Sequence, residues 1–139
     1  MSGNPPENRA GHIQLPMFLS AKEIVGEWNP LEADRKNVKD GEVVRKETND
    51  ELYGRKLKES DDIWRYHSPE GKTLRGDIKD RGVRRAIHLQ TPGTKDPVVL
   101  GGHHRLAAML ADNPHSLMPV LFSRDSYAAK SEDSGYEYT

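Results

Sequence analysis

Val98-Val99-Leu100-Gly101-Gly102-His103-His104-Arg105-Leu106-Ala107-Ala108-Met109-Leu110 is the stretch whose reading decides the fold. Three β-favouring apolar residues run into two glycines, two histidines and an arginine, and strong helix formers follow. The pattern predicts a strand, a tight turn and a helix. Paired glycines let the backbone take conformations that a side chain forbids, and let a ligand approach the main chain closely. Leu106, Ala107 and Leu110 give the helix an apolar face that holds its start against a core. A helix start presents unpaired N–H groups at the positive end of a dipole, so it attracts anions. Arg105 adds a permanent charge there, and His103 and His104 add two groups that titrate near neutrality.

On the C-terminal side, Asn113-Pro114 stops this helix and Met118–Phe122 reads as a final strand. On the N-terminal side, Ile87-His88-Leu89 alternates like a half-buried strand, joined to Val98–Leu100 by a hairpin-like loop from Thr91 to Pro97. Thr73 is an N-cap candidate for a helix carrying Leu74 and Ile78 on one face, with Gly82 closing it. Leu15–Leu19 is read as an edge strand because it contains Pro16. Ser20 with Glu23 has capping-box spacing for a helix from Ala21 to Trp28, which Asn29-Pro30 ends. In the charged stretch between, Asp40-Gly41 reads as a turn between Lys36–Lys39 and Glu42–Lys46, with Val43-Val44 in a minor strand. Asn49 or Asp50 is expected to cap a helix through Leu52, Tyr53, Lys56 and Leu57 that ends near Ser60. Ile63–Tyr66 is expected to anchor this region, and Ser68–Gly71 to form a turn.

The expected architecture is therefore α/β (α+β): a mixed sheet with flanking helices in one domain over residues 15–123. Residues 31–70 are expected to form a variable insertion, with disordered tails at 1–14 and 124–139. A length of 139 residues suits one modest core, and an apolar share of 34% leaves part of the chain outside it. The net charge of −1 gives no general attraction to nucleic acid, so any such binding needs a local basic patch. The absence of cysteine removes disulfides, thiol catalysis and cysteine-ligated zinc. No signal peptide and no long apolar run are visible, and a cytoplasmic location is expected.

Three motifs resemble the ParB/sulfiredoxin superfamily, which includes partition ParB N-terminal domains, sulfiredoxin and the ParB-like nuclease domains of phages and mobile elements. Asp80-Arg81-Gly82-Val83 followed by Ile87 resembles its Gly-Val segment, with Ala86 where proline is usual. Gly101-Gly102-His103-His104-Arg105 resembles its Gly-x-His-Arg box. Trp28-Asn29-Pro30 with Arg35 resembles its early Asn-Pro…Arg element, one residue longer here. The resemblance implies a ParB/sulfiredoxin-like fold in which a nucleoside triphosphate, CTP or ATP, lies with its phosphates over the glycine-rich turn. Sulfiredoxin has cysteine where this chain has His103, so its sulfinic-acid reductase reaction is excluded. Partition ParB proteins add a helix-turn-helix reader and a dimerisation domain, and the residues after Phe122 are expected to hold neither.

The expected function is a ParB-like, nuclease-type domain that binds phosphates of a nucleoside triphosphate or of DNA at this turn. Gly101, Gly102, His104, Arg105, Arg35, Arg84 and Arg85 are its binding candidates; Arg35 rests on the resemblance alone. His104 is the expected ligand-facing histidine, and His103 the candidate acid/base. A bland alternative makes both histidines phosphate contacts without turnover. Phosphodiester or nucleotide hydrolysis would call for Mg²⁺ or Mn²⁺, but neighbouring histidines diverge, so no residue pair here is assigned to a metal. Asp77 and Asp80, one turn apart, suit either Mg²⁺ or simple helix solubility. His12, His67, His88 and His115 have no supporting spacing. The alternative from another class is a non-catalytic phage module, in which residues 31–70 bind a host or phage protein partner.

Overall fold

The computed structural model describes residues 12–62 and 71–123. The first strand, β1 (His12–Ser20), ends in the capping box that its sequence announces. The Ser20 hydroxyl accepts the Glu23 N–H at 3.1 Å, and the Glu23 carboxylate accepts the Ser20 N–H at 2.9 Å. This satisfies two donors at the start of α1 (Ala21–Glu27), which buries Ala21 and Ile24. His12–Gln14, expected in a tail, belong to this strand. A three-residue 3-10 turn (Glu32–Asp34) follows, then the hairpin of β2 (Asn37–Asp40) and β3 (Val43–Lys46).

The cap of α2 (Asn49–Asp62) is Thr48 rather than Asn49 or Asp50. Its hydroxyl accepts the Glu51 N–H at 3.2 Å, and Glu51 accepts the Thr48 N–H at 2.9 Å. Leu52, Tyr53, Lys56 and Ser60 recur at helical spacing and form the buried face of α2. Leu52 and Tyr53 join the main core, and α2 packs against both later helices. Thr73 caps α3 (Leu74–Arg81) and Gly82 closes it with φ +76, as expected. Then come β4 (Ile87–Gln90), β5 (Val99–Gly101), α4 (His103–Asp112) and β6 (Leu117–Ser123).

The main sheet is mixed, with order β1-β6-β4-β5. β6 pairs antiparallel with β1 and parallel with β4, and β4 pairs antiparallel with β5. The parallel pair needs a crossover, which β5 and α4 supply. Ile87, Leu89, Val99, Met118, Val120 and Phe122 join from this sheet in one core with Ile24, Leu106 and Ala108. Trp28 stacks on Phe122 at 6.2 Å between ring centroids and donates its indole N–H to Gln90 O at 2.9 Å. The expected half-buried character of Ile87-His88-Leu89 does not hold: β4 is an inner strand and His88 is buried with its neighbours. The described residues form one α/β domain with a four-stranded mixed sheet, a separate two-stranded hairpin and four α-helices. Among the described residues no helix is long and apolar enough to cross a membrane. The remaining tail residues, Ile63–Tyr66, His67 and the Ser68–Gly71 turn apart from Gly71 itself, fall outside the described residues.

Candidate functional site

The turn between β5 and α4 depends on Gly102, whose φ of +94 is left-handed. A Cβ there would lie 2.9 Å from Ile87 Cδ1 and 3.1 Å from Arg105 Nη2, so a side chain would have to push both tips aside as well as hold the left-handed backbone. Gly102 O accepts the Leu106 N–H at 2.8 Å and opens α4. Among the described residues no side chain caps the amides of the first turn, which lie at the positive end of the helix dipole.

Gly101, Gly102 and His103 are buried, while His104 and Arg105 keep part of their surface in solvent. His103 uses both ring nitrogens. Its Nε2 accepts the Leu31 N–H at 3.1 Å, and its Nδ1–H donates to Asp34 Oδ2 at 2.9 Å. With those two partners the Nε2 lone pair and the Nδ1 hydrogen are both taken. The acid/base role expected of His103 is therefore not supported by its placement: accepting a proton from a ligand would first break the Leu31 bond. Asp34 in turn is held at about pKa 2, mainly by the hydrogen bond from His103 acting against burial, with the Lys56 ammonium 3.8 Å away assisting.

His104 Nε2–H donates to Glu59 Oε1 at 2.7 Å. Burial pushes this imidazole below its ordinary range, and Glu59 offsets part of that push. Burial also raises Glu59, but the hydrogen bonds from His104 and Arg55 outweigh it and leave the carboxyl below its usual value. Arg55 completes the link to the hairpin. It donates to Asp34 O at 2.7 Å and forms two 2.8 Å bonds to Glu47, a buried carboxylate held at about pKa 2 chiefly by that guanidinium. One polar network thus ties the first turn of α4 to α2, the 3-10 turn and the end of β3.

Arg105 donates to Arg85 O at 2.8 Å and to Ala86 O at 3.1 Å. These bonds bring the backbone of Arg85 and Ala86 to the start of α4. Arg84 is exposed and pairs with Asp77 at 3.0 Å. Arg35 is elsewhere: its guanidinium binds Glu32 at 3.1 Å, Glu47 O at 2.9 Å and Asn49 Oδ1 at 2.6 Å. It fastens the hairpin to α2, which removes the support for a phosphate role. Asp77 is buried against Arg84 and Arg81, whereas Asp80 pairs with Lys72, so the two carboxylates do not converge. Among the described residues no three His, Asp or Glu side chains are grouped to hold a metal ion. With Asp34 and Glu59 spent on the histidines, the donor set at the turn does not fit Mg²⁺ or Mn²⁺.

Asp34, Arg55 and Glu59 are the functional-site neighbours that sequence reasoning missed. Only the Arg55–Glu59 pair carries a local signal, its i, i+4 spacing. Comparisons of the chain with protein-family models, with curated proteins and with solved structures return no match.

Proposed function

We propose that this chain is a phosphate-binding domain of the ParB/sulfiredoxin kind that its Gly-Gly-His-His-Arg box resembles. Its ligand is a nucleoside triphosphate, CTP or ATP, or the phosphodiester backbone of DNA. The observation that carries this reading is the uncapped first turn of α4, which starts from a left-handed glycine beside Arg105 and the Arg84-Arg85 segment. Main-chain amides and guanidinium groups at one end of a helix are the donors that phosphate oxygens require. The ligand approaches from the side of His104 and Arg105, because the His103 side is packed.

Within this reading the two histidines position the turn and do not transfer protons. Both are spent on carboxylates, and His103 has its second nitrogen spent as well. Binding without turnover is thus favoured over a metal-dependent nuclease.

Titration of the protein with radiolabelled CTP, radiolabelled ATP and a short DNA duplex tests the proposal. Saturable binding of at least one is expected. Arg105→Ala and Arg84→Ala should each weaken it about tenfold or more, with Arg84→Ala leaving the α4 contacts intact. No saturable binding of any of the three by the wild-type chain overturns the reading.

A further inference from the structure

The β2–β3 hairpin forms a sheet of its own, with Asn37 opposite Lys46, Val38 opposite Arg45, Lys39 opposite Val44 and Asp40 opposite Val43. Directly opposed residues share a face, so Val38, Asp40, Val43 and Arg45 lie on one side and Asn37, Lys39, Val44 and Lys46 on the other. The first side is tied to α2: Arg45 binds both oxygens of Glu51, at 2.7 and 2.8 Å, and approaches Asp40 at 3.8 Å. All four residues of the second side are exposed, and Val44 has 61% of its surface in solvent.

Charge divides the two sides sharply. Around the hairpin, Arg35, Arg45, Arg55 and Lys56 are each paired with a carboxylate. Lys39 and Lys46 have no such partner among the described residues, and their face contains no acid. The acidic residues of the hairpin are Asp40, on the opposite side near Arg45, and Glu42 in the turn.

We propose that this outer hairpin face is a docking surface for duplex DNA, with Lys39 and Lys46, on one diagonal of the face, on phosphates and Asn37 and Val44, on the other diagonal, facing base edges. It extends the DNA branch of the proposed function while using none of the residues of the α4 turn. Charge selects the occupant. A second copy would bring the same two ammonium groups against themselves, and Val44 on this face, with Val43 on the other side of the tip, is too little for an apolar protein partner. A polyanion releases counterions on meeting two unpaired lysines. A two-stranded ribbon has the dimensions of the B-DNA major groove, where asparagine pairs with adenine and an apolar side chain meets the thymine methyl. The deep, narrow major groove of A-form RNA does not admit it.

The test is fluorescence anisotropy of the full chain with a labelled DNA duplex, repeated with duplex RNA and with polyglutamate, between about 50 and about 200 mM salt. The wild type should bind the DNA duplex more tightly than either rival. Lys39→Gln with Lys46→Gln should reduce the slope of log affinity against log salt by about 2, because each lysine neutralises one phosphate. Lys79→Gln, an exposed lysine on α3, should leave the slope unchanged. An unchanged slope in the double variant, an equal reduction with Lys79→Gln, or preference for RNA or polyglutamate overturns the proposal. Because Arg105 is untouched in these variants, loss of DNA binding in Arg105→Ala alone would instead locate binding at the α4 turn.

Discussion

Asp34 Oδ2 accepts the Nδ1 hydrogen of His103 at 2.9 Å, and the opposite nitrogen of the same ring holds the Leu31 N–H at 3.1 Å. One imidazole therefore joins both ends of the segment 31–34 to the first turn of α4. Nothing in residues 31–34 signals this, because the partners are distant in the chain.

Removing that ring takes the acceptor from the Leu31 N–H and the nearest donor from Asp34, and it opens a space beneath the turn. His103→Ala should cost about 3 kcal/mol of folding stability in urea denaturation. His104→Ala, whose side chain keeps part of its surface in water, should cost about 1 kcal/mol or less. Equal losses for the two would show that His103 does not have the structural role assigned to it.

Acid should unfold the protein through its depressed carboxyls. Asp34 falls from an ordinary 3.8, and Glu47 from 4.5, each to about 2. A group lowered on folding contributes stability that is complete above its unfolded value and is lost as pH falls through its folded one. The thermal midpoint should therefore begin to fall as pH drops below about 6.5, where the lowered His104 takes up a proton on unfolding, and decline further between about pH 4.5 and 2. Asp34→Asn should make that decline shallower, and an unaltered profile would remove Asp34 from the account.

Gly102→Ala combines a strained φ of +94 with approaches of 2.9 and 3.1 Å to the new methyl. A loss of about 2–3 kcal/mol is expected, seen as a lower denaturation midpoint. The Arg105 guanidinium must also shift, so ligand affinity should drop beyond what stability explains. An alanine tolerated at wild-type stability would mean that the turn takes another conformation.

Tyr53 makes the opposite case. Its hydroxyl is buried with no hydrogen-bond partner among the described residues, and burial drives the phenol well above its ordinary range. Tyr53→Phe removes an unsatisfied group and keeps the ring in the core, so stability should rise by about 1 kcal/mol. A comparable loss in denaturant would show that the hydroxyl has a partner after all.

Local signals in the sequence were legible. Ser20 with Glu23, Thr73 with Gly82, and Asn113 before Pro114 each mark a helix end within a few residues of chain. The Val98–Leu110 stretch likewise became a strand, a left-handed glycine and a helix. What depended on distant partners was not legible. Thr48 outcompeted Asn49 and Asp50 as a cap because Glu51 reciprocates from the right distance. His88 looked half-exposed by alternation, yet flanking strands and the packing of β4 bury it. Arg35 matched a motif by order but is drawn to the carbonyl of Glu47 and the side chain of Asn49. Nothing local in the charged stretch after Leu31 marks Glu47 as buried, yet it is, because Arg55 eight residues on pairs with it.

β6 lies between β1 and β4 although it follows both in the chain. During synthesis from the N-terminus, the first strand and the β4–β5 pair leave the ribosome before the strand that joins them exists. The nascent sheet is then two unconnected pieces with bare inner margins, and it closes only when residues 117–123 emerge. A ribosome stalled before that point would hold a chain able to form its helices but not its sheet, an intermediate suited to chaperone capture.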